Sequence, residues 1–540
     1  MNLMSSDVMY TCPIYSRLAN LTLSLAFLLV ICASGLAMSS FDYQRIESAI
    51  QERNFASAQQ ELERHLQTEP DDYRAHMLLG IVLDEQGKPA EAAGHFQKAV
   101  QLQPQSPAAH INLGKHDGRV GDLSAAAEEF ESAIRLSPSD TAGHNNLGLV
   151  LMSQGKNALA LAEFEKASDA APRDAATWLN LFRCQLALRQ FSEARASAKR
   201  IVSMDSSSEE LRGQLGAMQA HAGDYAGAIE SLSNSLSLNP HSVETRYNLG
   251  IAYYRAGNIS SARETLESLR KEHESAEVES LLGEIYEKDT QYLKAVQAFQ
   301  KAAEMEPSNE EYRFDFVSEL LSHRNYDAAL LVAQPAVHDF PSSMRLDLTL
   351  GVAHFAKGMS NEAMEDFLTT ARKFPDSELP LYFLALAGDA LRADLDEIRD
   401  LVRAYANRHP DQFWAYSYLG HDALQTARAS PSADALQEAE KLLKQSIDLQ
   451  PSYPDSYLEL GNAYFQQKRW QEAIEEYEKA IRLNPSMTEA HYKLYLTYAQ
   501  VGNAARAHEE MEIHQRLQQQ EAPHDLTQAQ VRTFLYKLRN

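Results

Sequence analysis

Two glycine-rich stretches and one histidine pair are the segments whose residue types first suggest chemistry. Residues 80–88 and 148–156 each hold two glycines and then a lysine, but six residues separate the glycines and neither lysine precedes Ser or Thr. A phosphate-binding loop has four intervening residues and a hydroxyl after the lysine. His508 and His514 lie six residues apart, which turns a helix by about 600° and leaves them on different faces. We therefore expect no catalytic residues, no cofactor and no enzyme activity.

Four histidines share one position, four residues before a glycine or its equivalent: His76, His110, His144 and His491. If this position recurs in stacked helices, neighbouring histidines lie on axes about 8–10 Å apart. A zinc ion needs its nitrogen ligands at about 2.0–2.1 Å, so the column does not form one site. We interpret these rings as packing groups between helices and predict no metal site.

A column of asparagines is the strongest candidate for binding. Asn112, Asn146, Asn180 and Asn248 each lie two residues before the glycine position. A side-chain amide both donates and accepts hydrogen bonds, so a stack of amides can hold the backbone of an extended peptide. The alternative is that asparagine is only a common residue at this position. The candidate peptide-binding surface consists of Asn112, Asn145, Asn146, Asn180, Asn248, Lys115 and Arg183.

The elements that must position these residues follow from an internal period of 34 residues. Prolines recur at Pro70, Pro104, Pro138 and Pro172, and alanines at intervals of 34 from Ala58. Glycines recur with the same period or close multiples of it. Self-similarity at such a period is typical of stacked repeats, in which each unit touches mainly its neighbours.

Each unit has the pattern of two helices. In residues 73–104, apolar residues recur at spacings of three and four in two stretches, which Gly87 and Pro89 separate. Glycine suits the left-handed end of a helix, and proline suits the first position of the next one. Pro104 then ends the second helix. The sequence therefore predicts a helix, a tight turn and a second helix in every unit.

This pattern resembles the tetratricopeptide repeat family. One unit matches it at Leu79, Gly80, Leu83, Ala92, Phe96, Ala99 and Pro104, and another at Leu460, Gly461, Tyr464, Ala473, Tyr477, Ala480 and Pro485. The resemblance implies an all-α fold, an α-solenoid of about fourteen helix-turn-helix repeats wound as a right-handed superhelix. It extends to the repeat arms of protein O-linked N-acetylglucosamine transferases, which implies a peptide-binding asparagine ladder, although this chain has no catalytic domain.

Residues 18–38 form an uncharged apolar stretch that as a helix spans about 31 Å, enough for a bilayer. Residues 1–38 are either a signal peptide cut after Gly35 or Ala37, or an uncleaved signal anchor. Both alternatives predict an exported, periplasmic or otherwise extracytoplasmic protein, secreted or anchored by an N-terminal hydrophobic helix. Contact with the membrane is expected only through residues 18–38.

The remaining chain is expected to divide at a degenerate seam. We predict a main array over 39–412, a second array over 413–520 and a capping helix over 521–540 on the last repeat. The repeat pattern blurs over 378–435, and residues 413–453 carry seven extra residues, which we assign to a loop at 427–434. The seam is either a hinge or simple decay of the repeat.

Charge and repeat content together limit the function. The chain has 50 basic and 75 acidic residues and a net charge of −25, which is unfavourable for nucleic-acid binding. Because repeats occupy nearly all of it, we expect a scaffold that binds a peptide or a partner protein on its concave face. The alternative is a substrate-recruiting subunit of an exopolysaccharide-export or glycosyltransferase complex.

Overall fold

A computed structural model describes residues 41–384, 395–429, 432–520 and 526–539. Over these residues the chain forms α-helices and no strand, which confirms the predicted all-α class. Residues 1–38, for which an N-terminal hydrophobic helix was predicted, lie outside the described residues. None of the helices in the described part is both long and apolar enough to cross a membrane.

The chain divides into two compact units at Glu274 and Ser275. In the first unit the described helices are α1 (Tyr43–Gln51), α2 (Phe55–Thr68), α3 (Tyr73–Glu85), α4 (Pro89–Leu102), α5 (Pro107–Val120), α6 (Leu123–Leu136), α7 (Thr141–Ser153), α8 (Asn157–Ala170), α9 (Ala175–Ala187), α10 (Phe191–Met204), α11 (Glu209–Ala222), α12 (Tyr225–Leu238), α13 (Val243–Arg255) and α14 (Ile259–Glu272). These helices make seven antiparallel pairs, and each pair is one repeat.

The second unit continues the same pairing. Its described helices are α15 (Ala276–Lys288), α16 (Tyr292–Met305), α17 (Glu310–Ser322), α18 (Tyr326–Asp339), α19 (Met344–Lys357), α20 (Ser360–Lys373), α21 (Leu395–Arg408), α22 (Phe413–Ala429), α23 (Ala433–Leu449), α24 (Pro454–Gln466), α25 (Trp470–Leu483), α26 (Thr488–Gln500), α27 (Ala504–Gln520) and α28 (Leu526–Arg539). Residues 379–384 are also helical and precede α21. Seven pairs and a final helix result, so the predicted number of about fourteen repeats is confirmed.

In the unit of residues 73–104 the helices begin and end where the sequence predicts. The Asp72 carboxylate accepts hydrogen bonds from the backbone N–H groups of Arg74 and Ala75, which have no partner within the first turn of α3. Gly87 has φ +74° and lets the chain reverse into α4 with Pro89 at its first position. The turn therefore follows the predicted glycine–proline signal.

The core of a repeat is a close approach between its two helices at the glycine column. A Cβ atom placed on Gly80, Gly114 or Gly148 would lie 2.6–2.9 Å from the phenylalanine ring of the second helix. In the third case the ring belongs to Phe164, which is fully buried. Glycine is therefore required by this contact, because any side chain would occupy the volume of the ring.

One repeat reverses this arrangement. Phe182 occupies the glycine column, and Ala198 occupies the column in which Phe130 and Phe164 lie in earlier repeats. Phe182 is fully buried and shares a core cluster with Ala198. The large and small residues have exchanged helices, so the filled volume is kept while the apparent repeat pattern is lost.

The histidine column links each repeat to the turn before it. The Nε2 atoms of His76, His110, His144 and His491 lie 3.0–3.1 Å from the carbonyl oxygen of the proline six residues earlier. In the last three, Nδ1 lies 2.6 Å from a glutamate nineteen residues later, in the second helix. The structure thus confirms packing between helices and adds a hydrogen-bonding role that was not predicted.

The predicted seam differs from the structure in two respects. The compact units divide at Ser275, not at residue 412, and residues 385–394 and 430–431 lie outside the described residues. The seven extra residues mostly lengthen α22 and α23, each of which has 17 residues, and only a short connection remains for the predicted loop. An added turn in both helices of one pair keeps their facing residues in contact along a greater length.

The final helix forms, but it packs in another place than predicted. Instead of covering the last repeat, α28 lies against α19 and α17. Phe534 is fully buried there, with its ring centre 4.4 Å from that of Phe383 and 5.7 Å from that of Phe355. The helix therefore buries an apolar face, and it does so against aromatic residues of these earlier repeats.

We expect Gly148→Ala to destabilise the first unit by about 1–3 kcal/mol, because the new methyl group overlaps the Phe164 ring. Urea unfolding, together with hydrogen exchange of α7 and α8, measures the loss. Gly94→Ala is the matched control, since a Cβ there meets nothing within 4 Å and alanine is favoured in a helix by about 0.5–1 kcal/mol. Equal effects of the two substitutions would contradict the role of the contact.

We expect His491 to make the second unit less stable as the pH rises. Burial alone would lower the pKa of His491. Hydrogen bonds to Glu510 and to the Pro485 carbonyl raise the pKa by more than burial lowers it, so the net shift is upward. This contribution is complete below the unfolded pKa of about 6.5 and disappears as the pH rises through the higher folded pKa. Thermal unfolding between pH 6 and 8.5 measures the change.

His491→Tyr should remove most of this pH dependence, because Tyr457 occupies the same column and donates its hydroxyl to the Pro451 carbonyl. His508→Gln is the control, since His508 is largely exposed. A pH profile that is the same in wild type and His491→Tyr would rule out this origin.

Candidate functional site

The first helices of neighbouring repeats lie side by side and form the inner face of the first unit. Each of α3, α5, α7, α9 and α11 contacts the first helix of the following repeat. In stacked helix pairs, the helices that approach each other most closely line the concave side, which these proteins use as a binding surface. Side chains that point from these helices toward solvent are therefore the candidates for ligand contact.

A groove of about 330 Å³ lies across the ends of three of these helices. It is lined by residues from α7, α9 and α11 and from the turn after α9, namely Met152, Arg183, Leu186, Ala187, Arg189, Met218, His221 and Ala222. Its apolar lining includes Met152, Leu186 and Met218. Methionine is flexible and polarizable, so it suits a surface that adapts to a ligand's side chain.

Two arginines give this groove a positive charge within an acidic protein. Arg183 is half-buried and Arg189 is exposed, and neither side chain makes an ion pair or hydrogen bond with the described residues. Elsewhere in the same unit arginines are paired, as Arg195 is with Asp224. Guanidinium groups bind carboxylates in a bidentate geometry, so this pair can hold an acidic group above the apolar surface.

Of the seven predicted site residues, the groove contains Arg183. Asn145 and Asn180 meet each other, with Asn180 Nδ2 donating to Asn145 Oδ1 at 3.0 Å. Asn180 is only 5% exposed, and Asn146 donates its amide to the Ala142 carbonyl of its own helix at 2.8 Å. Part of the predicted ladder is therefore engaged within the protein.

The other predicted residues lie on the same series of first helices but outside the groove. Asn112 and Lys115 are half-buried on α5, and Asn248 is half-buried on α13. Burial lowers the pKa of Lys115, while the nearby Asp140 carboxylate opposes this shift. The structure thus places six of the seven residues on the first helices α5, α7 and α9 and one on α13, and it joins Asn145 and Asn180 by a direct hydrogen bond.

The sequence analysis missed Arg189 and the methionines. Arg189 has φ +57° and occupies the turn position that glycine holds at Gly87, Gly121 and Gly155. A left-handed arginine costs about 1–2 kcal/mol relative to glycine, which is a signal readable from the repeat alignment. Four other non-glycine residues in the described part of the chain also have positive φ, namely Arg53, Thr290, Arg324 and Lys468. Arg189 differs from these four residues because it lines the groove, not because of its backbone conformation.

Family models describe most of the chain. Models of the tetratricopeptide repeat match residues 43–107, 111–175 and 314–378, then 151–213, 219–285 and 432–477, and also 280–309. A further repeat model of the same kind matches residues 461–502. No curated protein sequence matches the chain.

Several solved structures are similar to parts or most of the chain. YrrB, described as a TPR protein with an unusual peptide-binding site, is 17% identical and covers 34% of this chain and 95% of its own, with a TM-score of 0.29. Yeast Tom70 is 17% identical and covers 79% and 95%, with a TM-score of 0.32. Naa15/Naa10 bound to HypK-THB is 12% identical and covers 92% and 99%, with a TM-score of 0.30.

The assignment rests on two findings that agree. The described helices form repeated antiparallel pairs with glycine-to-aromatic contacts at one level, and the family models match in both compact units. The chain belongs to the tetratricopeptide repeat family.

Proposed function

We propose that this protein is a non-enzymatic scaffold whose first unit binds an extended segment of a partner protein on its inner face. Tetratricopeptide repeat proteins are generally protein-interaction scaffolds. The observation that carries the proposal is the groove across α7, α9 and α11, where an apolar surface lies beside two unpaired arginines. The segment that fits it carries an apolar side chain followed closely by an acidic group.

The charge of the protein supports this choice of ligand. An acidic chain repels acidic peptides from most of its surface, so a local pair of arginines makes one region selective for them. The asparagine residues on the inner face are proposed to hold the backbone of the same segment. Asn112 and Asn248, which are half-buried, have more surface available for this contact than Asn180.

We also propose that the protein acts outside the cytoplasm. This proposal rests on the apolar residues 18–38 and on the positive charge of Arg17 before them, since positive charge remains on the cytoplasmic side of a membrane segment. The role as a recruiting subunit of an exopolysaccharide-export or glycosyltransferase complex stays a prediction from the sequence.

A photo-crosslinking amino acid at Ala187, inside the groove, should capture the partner in cells, and Arg183→Glu with Arg189→Glu should abolish the capture. Each lost charge-assisted hydrogen bond contributes about 1.5–3 kcal/mol, so we expect binding to weaken about tenfold or more per arginine. Quantitative mass spectrometry of the crosslinked product measures the loss. Fractionation of the same cells reports whether the chain is exported and whether residues 18–38 remain attached.

Two controls make this result specific. A crosslinker at Leu159, which is 59% exposed on the second helix α8, should not capture the same partner. Arg173→Glu makes the same charge change as one of the two groove reversals, but outside the groove, and should leave the capture intact. Capture that survives both groove reversals would refute the groove as the binding site.

Asparagine substitutions separate peptide contact from folding. We expect Asn112→Ala with Asn146→Ala to reduce partner capture while the thermal stability changes little, because neither side chain is fully buried. Asn180→Ala should instead lower the free energy of unfolding by about 1 kcal/mol, since Asn145 loses its buried hydrogen-bond partner. Parallel measurements of binding and thermal unfolding distinguish the two effects, and unchanged capture by Asn112→Ala with Asn146→Ala would argue against the ladder.

A further inference from the structure

Two carboxylates and one histidine converge at the ends of two neighbouring first helices in the second unit. Glu287 lies in the last turn of α15, and Glu319 and His323 lie at the end of α17. His323 Nε2 is 2.9 Å from Glu287 Oε2 and 3.3 Å from Glu319 Oε1. One ligand atom from each of the three residues can be chosen so that all lie within 4.8 Å of one another.

One carboxylate oxygen of the buried glutamate in this cluster has no hydrogen-bond donor among the described residues. Glu319 is 2% exposed, and its Oε1 atom accepts no hydrogen bond from the described residues. A single Nε2–H on His323 cannot serve both carboxylates, and its shorter contact is with Glu287. An unpartnered carboxylate oxygen at this depth is costly, and a cation would satisfy it.

The surroundings hold the cluster in place and make it electronegative. The Tyr292 ring lies 4.2 Å from the ring of His323 and restricts its orientation. The carboxylates of Glu287 and Asp315 lie near Glu319 and add negative charge to its surroundings. The charge of Arg539 on α28 offsets part of this effect without forming an ion pair with Glu319.

We propose that Glu287, Glu319 and His323 bind one divalent transition-metal ion of the zinc class. Glu319 and His323 are four residues apart, so they share a helix face in the i, i+4 arrangement of known zinc helices, and Glu287 adds a ligand from the next helix. One imidazole with two carboxylates suits Zn²⁺, Co²⁺ or Mn²⁺, whereas Ca²⁺ and Mg²⁺ prefer oxygen ligands alone.

Two of the three separations between the ligand atoms are close to those around such an ion. Ligands at about 2.0–2.1 Å in a tetrahedron are about 3.3–3.4 Å apart. His323 Nε2 lies 2.9 Å from Glu287 Oε2 and 3.3 Å from Glu319 Oε1, and the ligand atoms of the two glutamates lie within 4.8 Å of each other. The three residues leave a fourth position for water or for a side chain of a partner.

The histidines of the repeat column provide the contrast. His110 and His144 each contact one glutamate and one proline carbonyl, so both ring nitrogens have partners. His323 is different, because its Nε2 atom faces two carboxylates at once. The competing explanation for its cluster is a proton shared between Glu287 and Glu319.

Calorimetric titration of the chelator-treated full chain with Zn²⁺, and visible spectroscopy with Co²⁺, test the proposal. We expect one site per chain that Glu319→Gln and His323→Gln each weaken at least tenfold, together with intense cobalt absorption that both variants lose. Zinc should also raise the melting temperature of the wild type, because an ion that binds only the folded state stabilises it.

His110→Gln is the matched control, since it removes a histidine that contacts one glutamate, and it should retain the site. Glu319→Gln keeps the size and shape of the side chain and removes its repulsion with Glu287. We therefore expect this variant to fold without metal, and its thermal unfolding in the metal-free state checks this. No zinc-dependent change in the wild type, or equal binding by wild type and both variants, would overturn the metal site and leave a shared proton only.

Discussion

The close approach of two helices at the glycine column is the contact on which the rest of the structure depends. Six repeats place an aromatic ring of the second helix directly against a glycine of the first, where a Cβ atom would lie within 3 Å of the ring. Close packing at this point fixes the distance and the rotation of the pair. Because the same contact recurs every 34 residues, each repeat has nearly the same shape, and stacking of similar shapes produces a solenoid.

A second interaction, a hydrogen bond, connects each repeat to the turn that ends the preceding repeat. The residue four positions before the glycine bonds to the carbonyl six residues earlier, in the turn that ends the preceding repeat. Histidine makes this bond at His144, tyrosine makes it at Tyr457, and Arg212 makes it to Ser206. This position requires a side chain that carries a hydrogen-bond donor and is long enough to reach the carbonyl oxygen. Several residue types meet it, which explains why this column has no single consensus residue.

Features that recur in every repeat could be predicted from the sequence, whereas features of a single repeat could not. Helix boundaries, turns and the number of repeats follow from columns such as Gly80 and Ala92, because packing imposes the same choice each time. The exchange of Phe182 and Ala198 hides the pattern, since the volume is conserved and the residue types are not. The location of α28 depends on aromatic residues far away in sequence, so the helix could be predicted but its location could not.

The candidate sites were hard to predict for the same physical reason. Arg183 could be identified from its position near the asparagine column, whereas Glu287 and Glu319 are 32 residues apart and meet only after the helices stack. Positions of the first helices that stay partly exposed, such as Arg183 and Asn112, are less constrained by core packing in their residue types. These positions are where one unit can carry arginines and the other a cluster of carboxylates and histidine, while both keep the same core. Because core packing does not depend on the residue types at these positions, the chemistry of the surface can differ from repeat to repeat while the fold stays the same.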